Sequence, residues 1–412
     1  MQQPSVVEIV GSAVVGEAVG RICSYLISRG EEEVAGGDGA EHDEERMEVA
    51  LLRIQAAVEE ADGWHITNRP LVRWRDKLKR AADEGEYVEV NESTGVRLFY
   101  YFVKSEKDPD VDPLLLWLSG GPGCSSISGL THEIGPFEFA AKRYYSGGLP
   151  EIIYRPETWT KVSNIIFVDS PVGAGFSYAA TMEGSKSSDT KTVKQLYIFL
   201  RKWLHDHPQF LLSPLYIGGD SYSGIIVPTL ALAIDESNDS GDKPILNLMG
   251  YVAGNPVTDS QFDEDGKIPC LHGMGLISNE LYEHAKETCR GKYSAPGNAR
   301  CEQSVQAIRN KASYVVLKIW ANDKTVRESL GVHKGTVGKW TRCNYDIDYI
   351  KDVYSTVEYH LTLMRKGYRA LIYSGDHDCG IPFTSTQAWI RFLNLSVVDD
   401  WRPWYVAGQV AG

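Results

Sequence analysis

The chain has 412 residues, a formal net charge of −13, a hydrophobic content of 43% and ten tryptophans. This length and apolar content suit two or three domains with a sizeable core, and the acidic pI of about 5.3 argues against a nucleic-acid-binding protein. The longest nearly uncharged stretch, at about residues 114–132, contains Gly-Gly-Pro-Gly and therefore excludes a membrane-spanning helix there.

The first 85 residues differ from the rest of the chain in charge and in apolar pattern. They carry ten Lys and Arg side chains against seventeen Asp and Glu side chains. Apolar residues recur at helical spacing in three stretches, at about residues 5–26, 47–62 and 70–84. The sequence therefore predicts a small helical bundle over residues 1–86, and no catalytic constellation is visible in it.

This segment resembles the coiled-coil N-terminal domain of plant nucleotide-binding leucine-rich-repeat resistance proteins. The resemblance is carried by MEVALLRIQAAVEEADGWHITNRPLVRWRDKLKRAADEGE, and it covers roughly residues 1–86. It implies a bundle that binds a protein partner. Neither a nucleotide-binding region nor leucine-rich repeats follow it in the sequence.

From Tyr87 onward, short apolar runs alternate with helical patterns. YVEV and VRLFYYFV flank a Ser-Thr-Gly turn and predict a hairpin. Further strands are predicted at residues 114–118, 164–168, 215–218, 246–253 and 368–373, with helices at 191–207 and 356–366. This alternation predicts an α/β domain with a mostly parallel sheet over residues 87–412. Residues 261–339 are richer in polar residues, Gly and Cys, and are predicted to leave the sheet as an insertion.

The stretch YIGGDSYSG contains a G-x-S-x-G pattern centred on Ser221, between two apolar runs. This arrangement predicts a strand, a tight turn and a helix, with a nucleophilic serine on a strained elbow. The alternative is a turn of small residues, because a five-residue pattern of this kind also occurs by chance.

Two further loops follow predicted strands. WLSGGPGCSS, which begins at Trp117, has successive glycines whose backbone N–H groups could bind an oxyanion, although a simple Gly-Pro turn is equally consistent. SGDHD, which begins at Ser374, places acids where ligands gather in open α/β sheets. An acid there could orient a histidine, or it could cap its own loop.

Together these stretches resemble the serine carboxypeptidase family, including its plant acyltransferase members. The motifs appear in the family's order from about residue 87 to residue 412, namely WLSGGPGCSS, HEIGPF, VDSPVGAGFSYA, GGDSYSG, MGYVAGNPVTD, WANDKTVRESLGV, KWTRCNYD and SGDHDCGIPFTSTQAWI. The resemblance implies an α/β-hydrolase fold with an inserted helical cap. It also implies an acyl-enzyme on serine, which water resolves in a carboxypeptidase and an alcohol resolves in an acyltransferase.

The resemblance assigns roles to individual residues. Ser221 matches the nucleophile and Asp378 the acid of the triad, while the backbone N–H groups of Gly121 and Tyr222 match the oxyanion hole. Two disulfides are implied as well, Cys124–Cys343 and Cys289–Cys301. The family uses no cofactor and no metal, and the expected substrate is a small-molecule acyl ester or a peptide.

The expected substrate-binding residues are Ser119, Gly120, Glu133 and Asp220. In family peptidases an Asn and two Glu residues bind the C-terminal carboxylate of the substrate. Ser119 and Asp220 replace the Asn and one Glu here, and this pattern resembles the acyltransferase branch, which takes acyl groups from sugar esters.

The chain departs from the family pattern at its histidines. The α/β-hydrolase order is Ser, acid and then His, but none of the ten histidines follows Asp378. The stretch near residues 310–319 also looks shortened. We therefore expect a C-terminally truncated domain with a shortened cap and weak or no activity, and we do not expect another histidine to substitute. The alternatives are a protein-interaction module and a non-functional chimeric gene product.

The sequence contains features of a secreted protein and features of a cytoplasmic one. The family is secreted or vacuolar, and sequons at Asn91, Asn238 and Asn394 suggest a glycoprotein. However, Glu8 and Glu17 interrupt the first apolar segment and no basic residue precedes it, so no signal peptide is recognisable. The N-terminal sequence thus predicts a cytoplasmic location.

Overall fold

The computed structural model describes residues 85–139, 152–306, 321–322, 324–333, 335–400, 402–406 and 409–410. The helical bundle predicted for the N-terminal segment lies outside the described residues, apart from residues 85 and 86, and so does the stretch near 310–319. These ranges are the described part of the chain.

Thirteen strands are present in this part: β1 Gly85–Asn91, β2 Val96–Val103, β3 Leu114–Leu118, β4 Phe137–Phe139, β5 Ile152–Tyr154, β6 Asn164–Val168, β7 Ser187–Ser188, β8 Leu215–Asp220, β9 Leu248–Gly254, β10 Tyr349–Ile350, β11 Arg369–Tyr373, β12 Tyr405–Val406 and β13 Gln409–Val410. The described α-helices are α1 Met182–Ser185, α2 Asp189–Asp206, α3 Ser223–Asp239, α4 Ser260–Gly273, α5 Asn279–Cys289, α6 Ala299–Gln306, α7 Lys324–Ser329, α8 Val357–Arg365 and α9 Phe383–Phe392.

Seven strands form one sheet in the order β1-β2-β6-β3-β8-β9-β11. β1 and β2 form the predicted hairpin and pair antiparallel, and β2 also pairs antiparallel with β6. The other neighbours, β6 with β3, β3 with β8, β8 with β9 and β9 with β11, pair in parallel. The predicted mostly parallel α/β sheet is therefore confirmed. β1 begins upstream of the predicted boundary at Tyr87, because Glu86 already pairs with Tyr100.

The central strands are buried on both faces, which explains their uninterrupted apolar sequences. All five residues of β3 and all five of β6 are buried. Successive side chains of a strand point to opposite faces. Leu114, Leu116 and Leu118 accordingly join one core cluster, whereas Leu115 and Trp117 join the other.

The described residues of the predicted insertion at 261–339 form helices and contribute no strand. α4 to α6 enclose a small core of their own, which includes Ile268, Ala285 and the sulfur atoms of Cys289 and Cys301. None of the described helices combines the length and the apolar composition needed to span a bilayer.

Candidate active site

Ser221 occupies a tight turn between β8 and α3, as the sequence predicts. Its φ of 53° lies in the left-handed region that non-glycine residues rarely adopt. Backbone hydrogen bonds hold this conformation, because the N–H of Ser221 donates to the carbonyl oxygen of Gly254 at 2.9 Å and its own carbonyl oxygen accepts from the N–H of Val257 at 2.8 Å. The strand, the turn and the helix therefore form the elbow on which a nucleophile would be presented.

The loop of residues 119–123, here called the glycine loop, packs directly against this elbow. A Cβ atom added to Gly120 would lie 2.6 Å from the Cβ of Ser221 and 2.7 Å from the backbone nitrogen of Tyr222. Gly121 has a φ of 118°, which an L side chain rarely adopts. In the described part of the chain, the N–H groups of Gly121 and Tyr222 have no hydrogen-bond acceptor. Both donors are thus free of other backbone partners among the described residues, and the Tyr222 N–H directly follows Ser221.

A buried carboxylate fixes the segment that follows the glycine loop. Asp169, which directly follows β6, accepts hydrogen bonds from the Ser125 hydroxyl at 2.7 Å and from the N–H groups of Ser126 and Phe176 at 2.8 Å. The Ser126 hydroxyl in turn accepts from the N–H of Ser119 at 3.1 Å. Burial raises the pKa of Asp169 to about 6. This role could not be predicted from the sequence, since nothing in VDSPVG distinguishes a buried acceptor from a catalytic acid.

Two acids, Glu133 and Asp220, lie beside the glycine loop. Glu133 accepts hydrogen bonds from the Trp117 indole N–H at 3.1 Å and from the Ser119 hydroxyl at 3.5 Å. The Oδ1 atom of Asp220 is buried and has no hydrogen-bond partner among the described residues. Burial raises the pKa of both groups, and the charge of Glu133 raises that of Asp220 further, while Arg342 opposes both shifts. Such a pair can retain a proton and donate it in a hydrogen bond to a ligand oxygen.

Asp378 lies at the same carboxyl edge of the sheet, in the loop after β11, two strands from the elbow. Its side chain is exposed, and Oδ1 accepts from the N–H groups of Gly380 at 2.7 Å and Ile381 at 3.2 Å. In the described residues this carboxylate caps its own loop and makes no hydrogen bond to Ser221. The structure therefore brings together Ser119, Gly120, Glu133, Asp220, Ser221 and Tyr222, but not Asp378.

Most of the described histidines have hydrogen-bond partners away from Ser221. Nδ1 of His377 lies 2.6 Å from a carboxylate oxygen of Asp376 rather than of Asp378. His360 is buried with its Nδ1 2.8 Å from the Tyr251 hydroxyl, and burial lowers its pKa to about 3. His132 and His272 contact Thr131 and Asn279. Accordingly, no described histidine forms a hydrogen bond to the Ser221 hydroxyl.

Three disulfides are present in the described chain. Two are the pairs implied by the resemblance, Cys124–Cys343 and Cys289–Cys301. Cys124–Cys343 joins the residue directly after the glycine loop to the chain beyond α7. The third, Cys270–Cys379, links α4 to the residue after Asp378 and was not predicted. Disulfide connectivity cannot be deduced from cysteine positions alone, which explains the omission.

A mostly parallel sheet that presents a serine elbow beneath a glycine loop defines an α/β-hydrolase. The family model described as serine carboxypeptidase matches residues 75–316 and 309–412, so the chain belongs to the serine carboxypeptidase family. Serine carboxypeptidase-like 3 from Arabidopsis thaliana is 47% identical over 355 residues, which cover 80% of each chain. Serine carboxypeptidase-like 2 from the same plant is 45% identical over 355 residues, again 80% of each chain.

A solved structure supports the fold independently. The prohormone-processing carboxypeptidase from Saccharomyces cerevisiae superimposes with a TM-score of 0.61 at 19% identity, covering 74% of this chain and 76% of that one. The family match also begins at residue 75, upstream of the predicted domain boundary. The match to the serine carboxypeptidase family does not favour the two alternatives, a protein-interaction module and a non-functional chimeric gene product.

Proposed function

We propose that this protein forms an acyl-enzyme on Ser221 and transfers the acyl group to water or to an alcohol. The observation that carries the proposal is the elbow at Ser221, with the Gly121 and Tyr222 amides unpartnered in the described structure. Attack of the Ser221 oxygen on a carbonyl carbon places negative charge on the carbonyl oxygen. Two preorganised backbone donors beside the nucleophile stabilise that charge. By the family resemblance Asp378 is proposed as the acid of the triad, and among the described residues no histidine joins it to Ser221.

We further propose that Ser221 reacts slowly in the 412-residue chain. A serine hydroxyl is a weak nucleophile unless a neighbouring base accepts its proton. No described side chain accepts a hydrogen bond from the Ser221 hydroxyl, and His360 and His377 contact other groups. In enzymes that lack one triad member, oxyanion binding alone still leaves roughly 10³–10⁴-fold catalysis over water.

The acyl donor is proposed to be a sugar ester rather than a peptide. Ser119 and Asp220 are the short side chains that resemble the acyltransferase branch, with Gly120 and Glu133 completing the substrate-binding set. The pair of Glu133 and Asp220 supports this proposal, because burial raises the pKa of both carboxyl groups, and a carboxyl group that keeps its proton can donate a hydrogen bond to an uncharged sugar oxygen.

Fluorophosphonate labelling of the purified full chain tests the acyl-enzyme, with Ser221→Ala as the control. We expect slow labelling that disappears in the variant. A folded, monodisperse wild-type sample that never labels would overturn the proposal. The acyl donor is then tested by incubation with a sugar ester and an alcohol, and separately with a blocked dipeptide. Release of a free amino acid without any ester product would reject the acyltransferase assignment.

The compartment is proposed to be oxidising. Disulfides persist in secreted proteins and rarely in the cytosol, and the three described disulfides involve six of the seven cysteines. This observation favours a secretory route over the cytoplasmic location predicted from the N-terminal sequence. The sequon at Asn394 is exposed, which is compatible with a glycan there.

A further inference from the structure

We infer that Asn255 is the positioning residue that ties the loop carrying Asp378 to the nucleophile elbow. The inference deepens the proposed function and rests on it for the role of the loop in the reaction. Asn255 follows β9, which lies between the strand that ends at the elbow and the strand that precedes Asp378. In the sequence this residue lies within MGYVAGNPVTD, and nothing in that motif assigns it a role.

The backbone at Asn255 is joined to both neighbouring loops. The carbonyl oxygen of the preceding residue, Gly254, accepts the N–H of Ser221 at 2.9 Å. On the other side, the N–H of Asn255 donates to the carbonyl oxygen of Tyr373, the last residue of β11, at 2.9 Å. A displacement at Asn255 therefore also moves the elbow, because the peptide unit that joins Gly254 to Asn255 carries the carbonyl oxygen that binds the N–H of Ser221.

The Asn255 side chain fastens both ends of residues 374–381, here called the acid loop. Its Nδ2 donates to the Ser374 hydroxyl and to the carbonyl oxygen of Ile381, each at 3.0 Å. Its Oδ1 accepts the N–H of Gly375 at 3.0 Å. One amide group thus closes the acid loop at its start and at its end, and Asp378 lies between the two attachment points.

An asparagine suits this position for two physical reasons. The φ of Asn255 is 38°, in the left-handed region, where Asn is among the few tolerated residues with a side chain. The amide also combines two N–H donors with a carbonyl acceptor, and all three functions are used here. Aspartate would keep the acceptor and lose both donors, and glycine would keep the conformation and lose the side chain.

The acid loop has a second, independent attachment. Cys379 is bonded to Cys270 of α4, which anchors the middle of the loop to the insertion. Loss of the Asn255 side chain is therefore expected to loosen the ends of the loop without releasing it completely. The effect of the Asn255 side chain on the position of the acid loop can therefore be measured in a chain that still folds.

The test compares Asn255→Gly, Asn255→Ala and Asn255→Asp in the full chain. Asn394→Ala is the matched control, because Asn394 is an exposed asparagine with a φ of 52° whose side chain has no hydrogen-bond partner among the described residues. Amide hydrogen exchange of peptides covering residues 374–381 reports the attachment directly. We expect faster exchange in the Gly and Ala variants, an intermediate rate in the Asp variant, and unchanged exchange in β3.

The rate of fluorophosphonate labelling of Ser221, followed against pH, reports the catalytic consequence. We expect the Gly and Ala variants to label about tenfold more slowly than wild type, since small misplacements of catalytic groups have effects of that order or larger. Similar rates in the Gly and Ala variants would show that the side chain, not the strained backbone, is responsible.

The outcomes separate this inference from the proposed function. If exchange of the acid loop is unchanged in the Gly and Ala variants, Asn255 does not hold the loop and the inference is wrong. If the loop loosens but the variants label at the wild-type rate and with the same pH profile, Asn255 is only structural and its positioning role is rejected. If wild type does not label at all, the proposed function fails, and hydrogen exchange still decides whether Asn255 fastens the loop.

Discussion

At the scale of single residues, the site depends on positions where a side chain is excluded. Gly120 is the clearest case, because the atoms that an added Cβ would meet belong to the Ser221 side chain and to the Tyr222 backbone. Neither can move without disturbing the elbow itself. The sequence shows a run of glycines here, but only the structure shows that the backbone of this run packs against Ser221.

Replacing Gly120 with alanine is therefore expected to slow fluorophosphonate labelling of Ser221 by roughly 100-fold, the effect of losing one oxyanion donor. The distances of 2.6 Å and 2.7 Å from the added Cβ to its neighbours force the glycine loop away from the elbow. Gly297→Ala is the control, since a Cβ there meets nothing within 4 Å. Equal labelling rates in the two variants would show that the loop is not part of the site.

At the scale of elements, the sequence predicts strands far better than their connections. β3 and β6 match their predicted bounds because strands buried on both faces appear as unbroken apolar runs. The hairpin and the helices α2 and α8 were also recognisable from local pattern. The acid loop could be placed at the correct sheet edge, but its attachments could not be predicted. Asn255 and Cys270 contact it from positions more than a hundred residues away in sequence.

The bond between Cys270 and Cys379 is predicted to be the more stabilising of the two disulfides that involve the insertion. It closes a sequence separation of 109 residues, whereas Cys289–Cys301 closes only 12. A longer closed loop restricts the unfolded chain more strongly.

We therefore expect the double variant Cys270→Ser with Cys379→Ser to lower the free energy of unfolding by about 2–5 kcal/mol. The double variant Cys289→Ser with Cys301→Ser should lower it by less, with both measured by chemical denaturation. A smaller loss for the first variant than for the second would contradict the entropic argument.

At the scale of the whole molecule, the chain combines a conventional hydrolase core with buried polar groups that tie distant segments together. Asp189 at the start of α2 accepts hydrogen bonds from the hydroxyls of Tyr222 and Tyr349, both at 2.8 Å, and so connects the elbow to the chain beyond the insertion. These groups could not be identified from the sequence, since an aspartate before a helix is equally typical of an exposed N-terminal turn. A buried group whose pKa differs between the folded and the unfolded chain also makes the free energy of unfolding depend on pH.

His360 gives the most direct expectation for that dependence. Burial between Tyr251 and Trp389 lowers the pKa of its imidazole to about 3, from 6.5 when exposed. The unfolded chain therefore binds a proton below pH ~6.5 that the folded chain does not bind, and stability falls as the pH decreases from that value toward ~3. At pH ~5 the loss from this group is about 2 kcal/mol, because one pKa unit corresponds to ~1.4 kcal/mol.

His360→Phe removes the titrating group while the ring still stacks on Trp389. The variant loses the hydrogen bond to Tyr251 at every pH, so its overall stability is expected to be lower. The informative quantity is the decrease in unfolding free energy between pH 7.5 and pH 5, measured in urea for both proteins. This decrease should be larger in wild type than in His360→Phe by about 2 kcal/mol. Equal decreases would mean that His360 is protonated in the folded state, and hence that the core around α8 admits water.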